Sequence, residues 1–593
     1  MKISYCTTVF NRFWQLKETL ISNLKKLKDH PDTELILINF NGDDSDDITN
    51  LVEKTCAFEL MSGKLKYYIR KEPWDKFHVA LAKNRAYQFA TGDIFVNLDC
   101  DNFIHKNDPN IVRNHYSKNP NPENLIFHQT SGTSALKSKY INSRYHLFNE
   151  DEIDYSQENT IYDGTFGRIT IHRAMFEKLN GYNENLMGMG MEDMDLIIRG
   201  IKLGGEYKFK EIVNFEGVRN FIPQDDQYEE HNNNQINWKL MDKYLEEENY
   251  SPQYEITETD DLYQKFVYDY DIEKTRDYKL TLFTSFFKCD EFAESFSNNI
   301  LEQTAFENTF FIIFYFINSS NNKNETNKII FKLNKKENIK VFFIHYDLGL
   351  YNSWNEMIKL TRSEWLGNFN PDDLRSPNYC EKVLEWITEN PLADIITGTY
   401  KPVYKKYNNF LEAFIENDEI WFNNQIFMNN EGKIKYNKFD FKKRYITLDE
   451  MFQLVKKENG DYKIETFCVP NSAPIWKREL HDKFGFFKEK MNGCYTDFFF
   501  WLVCLKNGAN LLQFNETLSL FYINENQAHR KMDNNELIFN RIILKFGNSH
   551  LKKMYFKPII DNNSVPSQDF CQDESVGNPD EDVQSQDFQV ELI

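Results

Sequence analysis

The chain has 593 residues, a formal net charge of −21 at pH 7 and nine cysteines. This length predicts two or more domains, and the acidic balance argues against a nucleic-acid partner, because phosphate binding requires a basic surface. The sequence shows no Cys-x-x-Cys pair, no signal-peptide core and no apolar run of about 18 residues. We therefore expect a soluble cytoplasmic protein in a reducing compartment, without a zinc site or a membrane-spanning helix.

Polar residues follow the second predicted strand, which begins at Glu34 and ends near Asn39. Asn41, Asp43 and Asp44 come directly after it, at the end of the strand where open α/β sheets bind their ligands. A surface turn stabilised by an Asn or Asp side chain accounts for any one of them equally well.

A helix is predicted from Val79 to Ala90, immediately before the next strand. It carries Lys83 and Asn84, which are candidates for contacts to a ribose or a phosphate. A solvated helix face explains Lys83 equally well. Trp74 precedes this helix and either stacks on a base or sugar or packs in the interior.

Two carboxylates follow the next strand. The apolar run from Ile94 to Leu98 stops at Asp99 and Asp101, which have one residue between them. Residues i and i+2 of an extended chain point to the same side, so both carboxylates can hold one hard divalent cation beyond the strand. The competing interpretation is a solvated strand end. The pair predicts a site for Mn²⁺ or Mg²⁺.

A glycine-rich turn that begins at Gly188 leads into Glu192, Asp193 and Asp195. Such a turn can bring a carboxylate close to a reacting centre, where it is a plausible general base. The alternative is an ordinary helix start, because negative charge is favoured at a helix N-terminus. In this order and spacing, the two acidic segments indicate a metal-dependent sugar transferase.

The second half of the chain repeats this order of elements. A strand with its turn, a second strand, a helix followed by a strand and acids, and a turn before an aromatic helix recur in sequence. The corresponding ranges are Lys279–Lys288, Phe310–Asn322, Leu348–Leu374 and Cys468–Gly508.

Residues 1–240 resemble a glycosyltransferase of family 2 with the GT-A fold. The matching segments are Ser4–Arg12, Glu34–Asp47, His78–Asn102 and Asp163–Leu196. The resemblance implies an α/β fold in which the Asp-x-Asp segment holds Mn²⁺ or Mg²⁺ against the diphosphate of a sugar nucleotide.

The resemblance also implies roles for single residues. Asp193 would deprotonate the acceptor hydroxyl, and Glu192 would contact the acceptor. Asp43 or Asp44 would read the nucleobase and ribose. His231 falls where the family often supplies a third metal ligand, although a lone histidine in a polar loop is more often without such a role.

The second half resembles a branch of the same family in which a single Asp before the aromatic helix is the base. Asp497 holds that position, with a plain helix cap as the alternative. One departure stands out, because Asn370 occupies the place of the leading acid. In one interpretation, Asp372 holds the metal, and Asp372 and Asp373 bind substrate. In the other, the second half is a degenerate site that binds sugar without transferring it.

The sequence predicts two tandem GT-A domains, Rossmann-like and specific for nucleotide sugars, with a disordered acidic tail. Residues 541–557 carry five Lys and Arg and no acid, which suits either an anionic membrane surface or the solvated face of a last helix. The predicted ranges are 1–243 for the first domain, 244–277 for an acid-rich junction, 278–557 for the second domain and 558–593 for the tail.

Together these features predict an inverting, metal-dependent glycosyltransferase that uses nucleotide sugars, with UDP-linked hexoses or N-acetylhexosamines as the expected donors. Two transferase domains suggest a bifunctional enzyme that extends a glycan or a lipid-linked acceptor, as capsule, lipopolysaccharide or chondroitin-type polymerases do. One alternative is an active first domain with an inactive carbohydrate-binding second domain. The other is a sugar-phosphate nucleotidyltransferase, which is disfavoured because no glycine-rich phosphate loop follows the first strand.

Overall fold

The computed structural model divides the chain into two compact units. The first comprises residues 1–421, 440–445 and 470–532, and the second comprises 422–439, 446–469 and 533–593. The structure describes residues 1–73, 76–104, 107–129, 169–204, 206–210, 216–217, 235–237, 239–240, 243, 260–319, 323–416, 424–438, 442–466, 473–488, 495–523 and 535–562.

Helices and strands alternate along most of the first unit, and the helices of both units are numbered in chain order. The helices are α1 Phe13–Leu27, α2 Ser45–Thr55, α3 Ala57–Met61, α4 Val79–Phe89, α5 Asp108–Ser117, α6 Arg173–Lys178, α7 Glu192–Lys202, α8 Ala293–Leu301, α9 Lys323–Leu333, α10 Leu350–Lys359, α11 Tyr379–Glu389, α12 Phe410–Glu416, α13 Glu479–Phe484, α14 Thr496–Lys506, α15 Asn535–Phe546 and α16 Ser549–Asn562.

Among the described residues, the strands form two large sheets and three two-stranded ones. They are β1 Ile3–Val9, β2 Thr33–Asn39, β3 Leu65–Arg70, β4 Ile94–Asn97, β5 Asn102–Phe103, β6 Leu125–Gln129, β7 Ile169–His172, β8 Glu206–Lys210, β9 Glu216–Gly217, β10 Tyr263–Lys265, β11 Leu280–Phe286, β12 Thr309–Phe316, β13 Ile339–Ile344, β14 Trp365–Asn368, β15 Leu374–Arg375, β16 Ile395–Val403, β17 Asn424–Met428, β18 Ile434–Lys438, β19 Lys443–Ile446, β20 Phe452–Lys456, β21 Tyr462–Thr466, β22 Ile475–Lys477 and β23 Leu511–Tyr522.

The two large sheets share the order of seven successive strands, with β10 added at one edge of the first sheet and β15 and β19 paired with β23 in the second. The first runs β10-β3-β2-β1-β4-β7-β6-β8, and the second runs β13-β12-β11-β14-β22-β16-β23-β15. In each sheet four parallel strands are followed by one antiparallel strand, β7 or β22. The fold is therefore two tandem GT-A domains, as the sequence repeat predicts.

Both faces of the first sheet are covered, which is why β1 is buried along its whole length. The two-residue period of the strand sends Tyr5 to the side that packs on Leu20 of α1. It sends Cys6 to the opposite side, which packs on Ala82 and Ala86 of α4. This packing fixes α4, and the polar residues that α4 carries, against the strands whose carboxyl ends bear the candidate site.

Glu59 and Tyr346 join the two halves inside the first unit. The Tyr346 hydroxyl, just past β13, donates to Oε1 of the buried Glu59 on α3 at 2.8 Å. Nearby, the rings of Phe58 and Phe314 meet edge to face with 5.5 Å between their centroids. Burial raises the pKa of Glu59 to about 7, against the lowering effect of the Tyr346 hydrogen bond.

This contact predicts that the protein loses stability as the pH rises. Glu59 titrates near 4.5 when exposed, so it stabilises the fold below that pH, and the contribution is lost as the pH rises through 7. The loss amounts to about 3 kcal/mol. Glu59→Gln still accepts from Tyr346 but cannot ionise. Urea unfolding at about pH 5 and pH 8 should show a drop in the wild type that the variant lacks, and equal pH dependence in both would contradict the argument.

The second unit contains the hairpins β17–β18 and β20–β21 and the helices α15 and α16. Asn548, between the two helices, donates from Nδ2 to the Met428 carbonyl at 3.0 Å and to Oδ1 of Asp449 at 3.1 Å. The basic segment is thus a helical hairpin rather than one last helix. Leu544, with 57% of its surface exposed, lies on α15 next to the exposed Lys545.

Two boundaries differ from the sequence prediction. β10 lies inside the range assigned to the junction, yet it pairs antiparallel with β3 and extends the first sheet. Helix α16 runs on to Asn562, so residues 558–562 of the predicted tail are helical. Within the described ranges, no helix is long and apolar enough to cross a membrane.

Candidate active site

The loops after β1 and β2 are tied together at the carboxyl edge of the first sheet. Oδ1 of Asn11 accepts from the Asp43 backbone N–H at 2.6 Å, while the Asp44 carboxylate accepts from the N–H groups of Asn11 (3.1 Å) and Phe13 (2.6 Å). Asp44 therefore holds the loop after β1 in place. Asn41 is half-buried, and Asp43 is exposed.

Asp99 and Asp101 follow β4 and are both partly exposed. Oδ1 of Asp99 accepts from Nδ2 of Asn97 at 2.9 Å, and Oδ1 of Asp101 accepts from Nδ2 of Asn102 at 3.1 Å. Two neighbouring amides thus orient the two carboxylates. Burial raises the pKa of the Cys100 thiol between them, and the charges of both carboxylates raise it further.

A buried ion cluster lies beside this pair. Nζ of Lys83, on α4, is 2.8 and 2.9 Å from the two carboxylate oxygens of Asp193 and 3.0 Å from Oε1 of Glu192. All three side chains are buried, and the ammonium also lies 5.2 Å from the centroid of the Tyr182 ring. Lys83 is thus a counter-ion of the predicted base and not part of a solvated helix face.

The charges of this cluster shift its titrations in different directions. Burial lowers the pKa of Lys83, but the neighbouring carboxylates outweigh it and raise that pKa. Burial raises the pKa of Asp193 well above its usual value, and the charges of Glu192 and Asp99 add to this effect. Burial also acts to raise the pKa of Glu192, but Lys83 holds it below the usual value. An Asp193 of raised pKa is a stronger base once it is ionised.

The glycine-rich turn before α7 is shaped by backbone conformation. Gly188, Gly190 and Met191 all have positive φ, at 74°, 107° and 69°. The Gly190 N–H donates to Oε2 of Glu192 at 2.8 Å. Nδ2 of Asn237 donates to the backbone carbonyl of Gly190 at 2.9 Å and to the backbone carbonyl of Met187 at 3.0 Å. The turn therefore fixes the direction in which Glu192 enters the site.

Asn84 has all of its amide groups engaged by the segment before this turn. Its Nδ2 donates to the Tyr182 carbonyl and to Oε1 of Glu184, both at 3.0 Å, and its Oδ1 accepts from the Tyr182 N–H at 2.8 Å. These bonds join α4 to the stretch of chain that leads to the carboxylates. The Asn84 side chain is thus engaged in the interior, and its predicted ribose or phosphate contact stays a prediction.

In the second half, Asn370, Asp372 and Asp373 follow β14, as Asp99 and Asp101 follow β4 in the first half. Oδ1 of Asn370 accepts from Nδ2 of Asn368 at 3.1 Å, as Asp99 accepts from Asn97 in the first half. Asp372 is partly exposed, whereas Asp373 is buried and accepts from Nδ2 of Asn370 (3.0 Å) and the Tyr522 N–H (3.2 Å). Burial and the charge of Asp372 raise the pKa of Asp373 to about 7.

Asp497 lies in the first turn of α14, one residue past the helix start at Thr496, so it is not the capping residue itself. Its Oδ1 accepts from the Phe498 N–H at 2.7 Å. Burial raises its pKa, against a hydrogen bond from Tyr351 that lowers it. Trp354, on α10, is buried and packs edge to face on Tyr351, with 5.2 Å between ring centroids.

Comparison with known families accounts for both halves. The family model described as glycosyl transferase family 2 matches residues 4–179 and 284–448, which together exceed half of the chain. The chain belongs to glycosyltransferase family 2. A second model, described as the N-terminal domain of galactosyltransferase, matches residues 148–219 and thus includes Glu192 and Asp193. No curated protein matches the chain.

Solved glycosyltransferases are similar to this family 2 chain at low identity. TarS 1–349 of S. aureus, solved with UDP-GlcNAc, is 13% identical, with 47% of this chain and 71% of that chain covered and a TM-score of 0.33. The mannosyltransferase PcManGT from Pyrobaculum calidifontis, solved with GDP-Man and Mn²⁺, is 12% identical, with 50% and 68% covered and a TM-score of 0.29.

The residues of the glycosyltransferase site fit a hard divalent cation in the first half. Asp99 and Asp101 are oxygen donors, partly exposed and oriented by amides, which is the donor type that Mg²⁺ and Mn²⁺ prefer. Among the described residues, no three His, Cys, Asp or Glu side chains gather into a metal cluster. Trp74 and His231 lie outside the described residues.

Two positioning residues of this site were missed by the sequence analysis. Asn237 holds the glycine turn, although it lies 47 residues further along the chain than Gly190. Arg199 pairs with Asp195 at 2.7 Å and donates to two carbonyls before the turn, which anchors α7. The four-residue spacing of Asp195 and Arg199 on a helix could have predicted their ion pair from the sequence.

Proposed function

We propose that this glycosyltransferase moves a sugar from a nucleotide donor to an acceptor hydroxyl, with inversion at the anomeric carbon and with help from a divalent cation. The proposal extends to both halves, each with its own base, Asp193 or Asp497. UDP-linked hexoses or N-acetylhexosamines are the expected donors, and a glycan or a lipid-linked glycan is the expected acceptor.

One observation carries the proposal. The buried Asp193 carboxylate lies close enough to Asp99 for the charge of Asp99 to raise its pKa. This supports the proposal that a base on α7 and donor-side acids after β4 share one site at the carboxyl edge of the sheet, where α/β proteins bind their ligands. A transferase needs these two functions side by side, because one group must activate the acceptor while the other side holds the leaving diphosphate.

The proton and electron pairs can be followed through the step. Asp193 takes the proton of the acceptor hydroxyl as its oxygen bonds to the anomeric carbon, and the bond to the diphosphate oxygen breaks with its electron pair. Asp193 remains able to accept because a carboxylate has about four lone-pair positions. No second carboxylate is placed as a nucleophile among the described residues of this cluster, which supports a single displacement with inversion.

In the proposed donor site, Asp99 and Asp101 would hold Mn²⁺ or Mg²⁺. Bound there, the cation would supply Lewis-acid stabilisation of the departing diphosphate. Asn41 and Asp43 are the proposed contacts to the nucleoside, and Asp44 keeps their loop in place. In the second half the proposed metal ligand is Asp372, while Asp373 supports Asn370 from the interior.

The function is tested by incubating the purified chain with UDP- and GDP-linked sugars, Mn²⁺ and a panel of sugar acceptors. Release of nucleoside diphosphate together with a new glycosidic product supports the proposal, and β product from an α donor supports inversion. Release of nucleoside triphosphate from a sugar nucleotide and pyrophosphate would instead indicate a nucleotidyltransferase.

The metal pair of the first half is open to a direct test. Asp99→Asn and Asp101→Asn should each lower one transfer rate by about 100-fold or more, because each removes a charged oxygen donor. EDTA should do the same, and added Mn²⁺ should restore the rate. The matched control is Asp46→Asn, an exposed carboxylate on α2. Full activity in chelator would remove the metal from the proposal.

The helical hairpin α15–α16 is proposed to bring the enzyme to an anionic membrane surface. Arg541, Leu544 and Lys545 are exposed within one turn of α15, and Lys553 is exposed on α16. Basic side chains around an exposed leucine suit a surface of anionic lipids.

Charge reversal should separate location from chemistry. Lys545→Glu with Lys553→Glu should release the protein from phosphatidylserine vesicles, at about 1 kcal/mol for each lost cation, and activity on a soluble acceptor should not change. Vesicle flotation at low and high salt measures the effect. If the wild-type protein does not float with anionic vesicles, the hairpin has no membrane role.

A further inference from the structure

The two halves of the chain place different side chains around their proposed bases. Their correspondence is fixed by equivalent hydrogen bonds. The amide of Asn84 on α4 brackets the backbone of Tyr182, and the amide of Asn355 on α10 brackets that of Phe487, with bonds of 2.8 and 3.0 Å in each half. The residue before each of these asparagines is Lys83 in the first half and Trp354 in the second.

The helices that carry the bases correspond in the same manner. α7 opens with Glu192 and Asp193, and α14 opens with Thr496 and Asp497. Two positions therefore differ together between the halves. Where the first half has a buried lysine and a buried glutamate, the second has Trp354 and the buried, uncharged Thr496.

This joint difference leaves the summed charge of the base and these two positions unchanged. In the first half, one ammonium and two carboxylates give a net charge of −1, and in the second half a single carboxylate gives the same value. Two neighbouring buried carboxylates cannot both stay ionised without a cation, because burial and like charge both favour the protonated form. Removing one partner of a buried ion pair is correspondingly costly.

We infer that Lys83 is a positioning residue for the base of the first half: its ammonium holds both carboxylate oxygens of Asp193 and one of Glu192, and so aims both side chains at the acceptor. The inference rests on the proposed function. It assigns Lys83 to the acceptor side of the site, whereas the sequence pattern made it a candidate for a ribose or phosphate contact or for a solvated helix face.

The geometry shows why a lysine is needed at this place. Asp193 contacts Lys83 from α4, and the charges of Glu192 on its own helix and of Asp99 after β4 add to burial in raising its pKa. The Tyr182 ring lies against the same ammonium, with 5.2 Å from Nζ to the ring centroid. Lys83 is the only cation among these groups, and it reaches both oxygens of the carboxylate. Without it, the pKa of Asp193 would rise further, because burial and the charge of Glu192 would act without an opposing cation.

The test uses full-length Lys83→Met, Glu192→Gln and the double variant, assayed with the nucleotide sugar that the wild-type enzyme accepts. We expect Lys83→Met to lower kcat about 100-fold and to move the acidic limb of kcat/KM up by about one pH unit or more. The double variant should regain about 10-fold in kcat and return the limb toward the wild-type pH, because the net charge of −1 is restored. Its acceptor KM should stay raised, since Glu192 contacts the acceptor.

Two further variants keep the test decisive. Lys83→Arg retains the charge and should keep the wild-type pH limb even if the rate falls, and Lys54→Met, at an exposed position on α2, should match the wild type. If Lys83→Met does not fold, the double variant is compared with Lys83→Arg instead. A double variant no faster than Lys83→Met, with an unshifted pH limb throughout, overturns the inference.

The outcomes also separate this inference from the proposed function. If the wild-type chain transfers no sugar from any nucleotide donor, the proposed function fails and this inference fails with it. If the wild type transfers sugar and Asp193→Asn abolishes that transfer, while Lys83→Met leaves the rate and pH limb unchanged, only the inference fails.

Discussion

Asp193→Asn should reduce turnover of one sugar addition by about 10²–10⁴-fold, because an amide cannot accept the proton of the acceptor hydroxyl. Donor affinity should change little, since the acids proposed to hold the donor lie after β4 and not on α7. The fold should also survive the change. Lys83 keeps Glu192 as a partner at 3.0 Å, and the amide oxygen can still accept from the ammonium. Steady-state kcat and KM for donor and acceptor, measured with the wild type alongside, check this result.

Glu192→Gln is the matched comparison for Asp193→Asn, because it removes the other carboxylate of the same cluster. It should raise the acceptor KM with a smaller loss in kcat, which is the pattern of a lost binding contact. A collapse of donor affinity in Asp193→Asn, with turnover at saturation nearly unchanged, would assign Asp193 to the donor instead.

The alternating architecture could be predicted from the sequence because periodicity and strand ends report it directly. The apolar run before Asp99 becomes β4, and the segment from Val79 becomes α4 within one residue of the predicted end. The repeat of the second half is equally visible, since each strand ends in the same kind of polar group. Family membership then follows from the order of these segments.

Contacts between distant segments could not be read in the same way. Lys83 and Glu192 are 109 residues apart in sequence, and nothing in the local pattern of α4 distinguishes a buried counter-ion from a solvated lysine. Likewise, the role of Asp44 as a loop anchor depends on backbone N–H groups that only the folded loop after β1 presents. The short β10 carries two exposed polar residues out of three, so its place at a sheet edge left no strand signal.

The largest expected effect of all concerns the two halves together. If both are active, Asp193→Asn and Asp497→Asn should each abolish a different sugar addition. Mixing the two variants with both donors should then restore alternating extension, because each supplies the site that the other lacks. In Asp497→Asn, the new amide oxygen can accept from the Phe498 N–H as the carboxylate does at 2.7 Å, so α14 should start normally in the variant.

The second half gives reasons for and against its own activity. Asp497 keeps the place of Asp193 in its helix, and its raised pKa suits a base. Against this, Asn370 accepts from Asn368 in the position of Asp99 but brings no charge, which leaves Asp372 as the partly exposed acid. Sites of this kind are held by one or two carboxylates plus substrate phosphates, so one acid can suffice.

Product analysis of the single and mixed variants decides between the two versions. If Asp497→Asn leaves every transfer rate unchanged, the second half only holds carbohydrate, and Asn370 marks a lost metal site. If Asp497→Asn and Asp193→Asn abolish the same single addition, both versions are contradicted, since independent sites cannot share one step. We expect two distinct losses. The hydrogen bonds that orient Asp99 and Asn84 in the first half recur at Asn370 and Asn355 in the second. A half without catalytic activity would not need these bonds to hold a base in the same position.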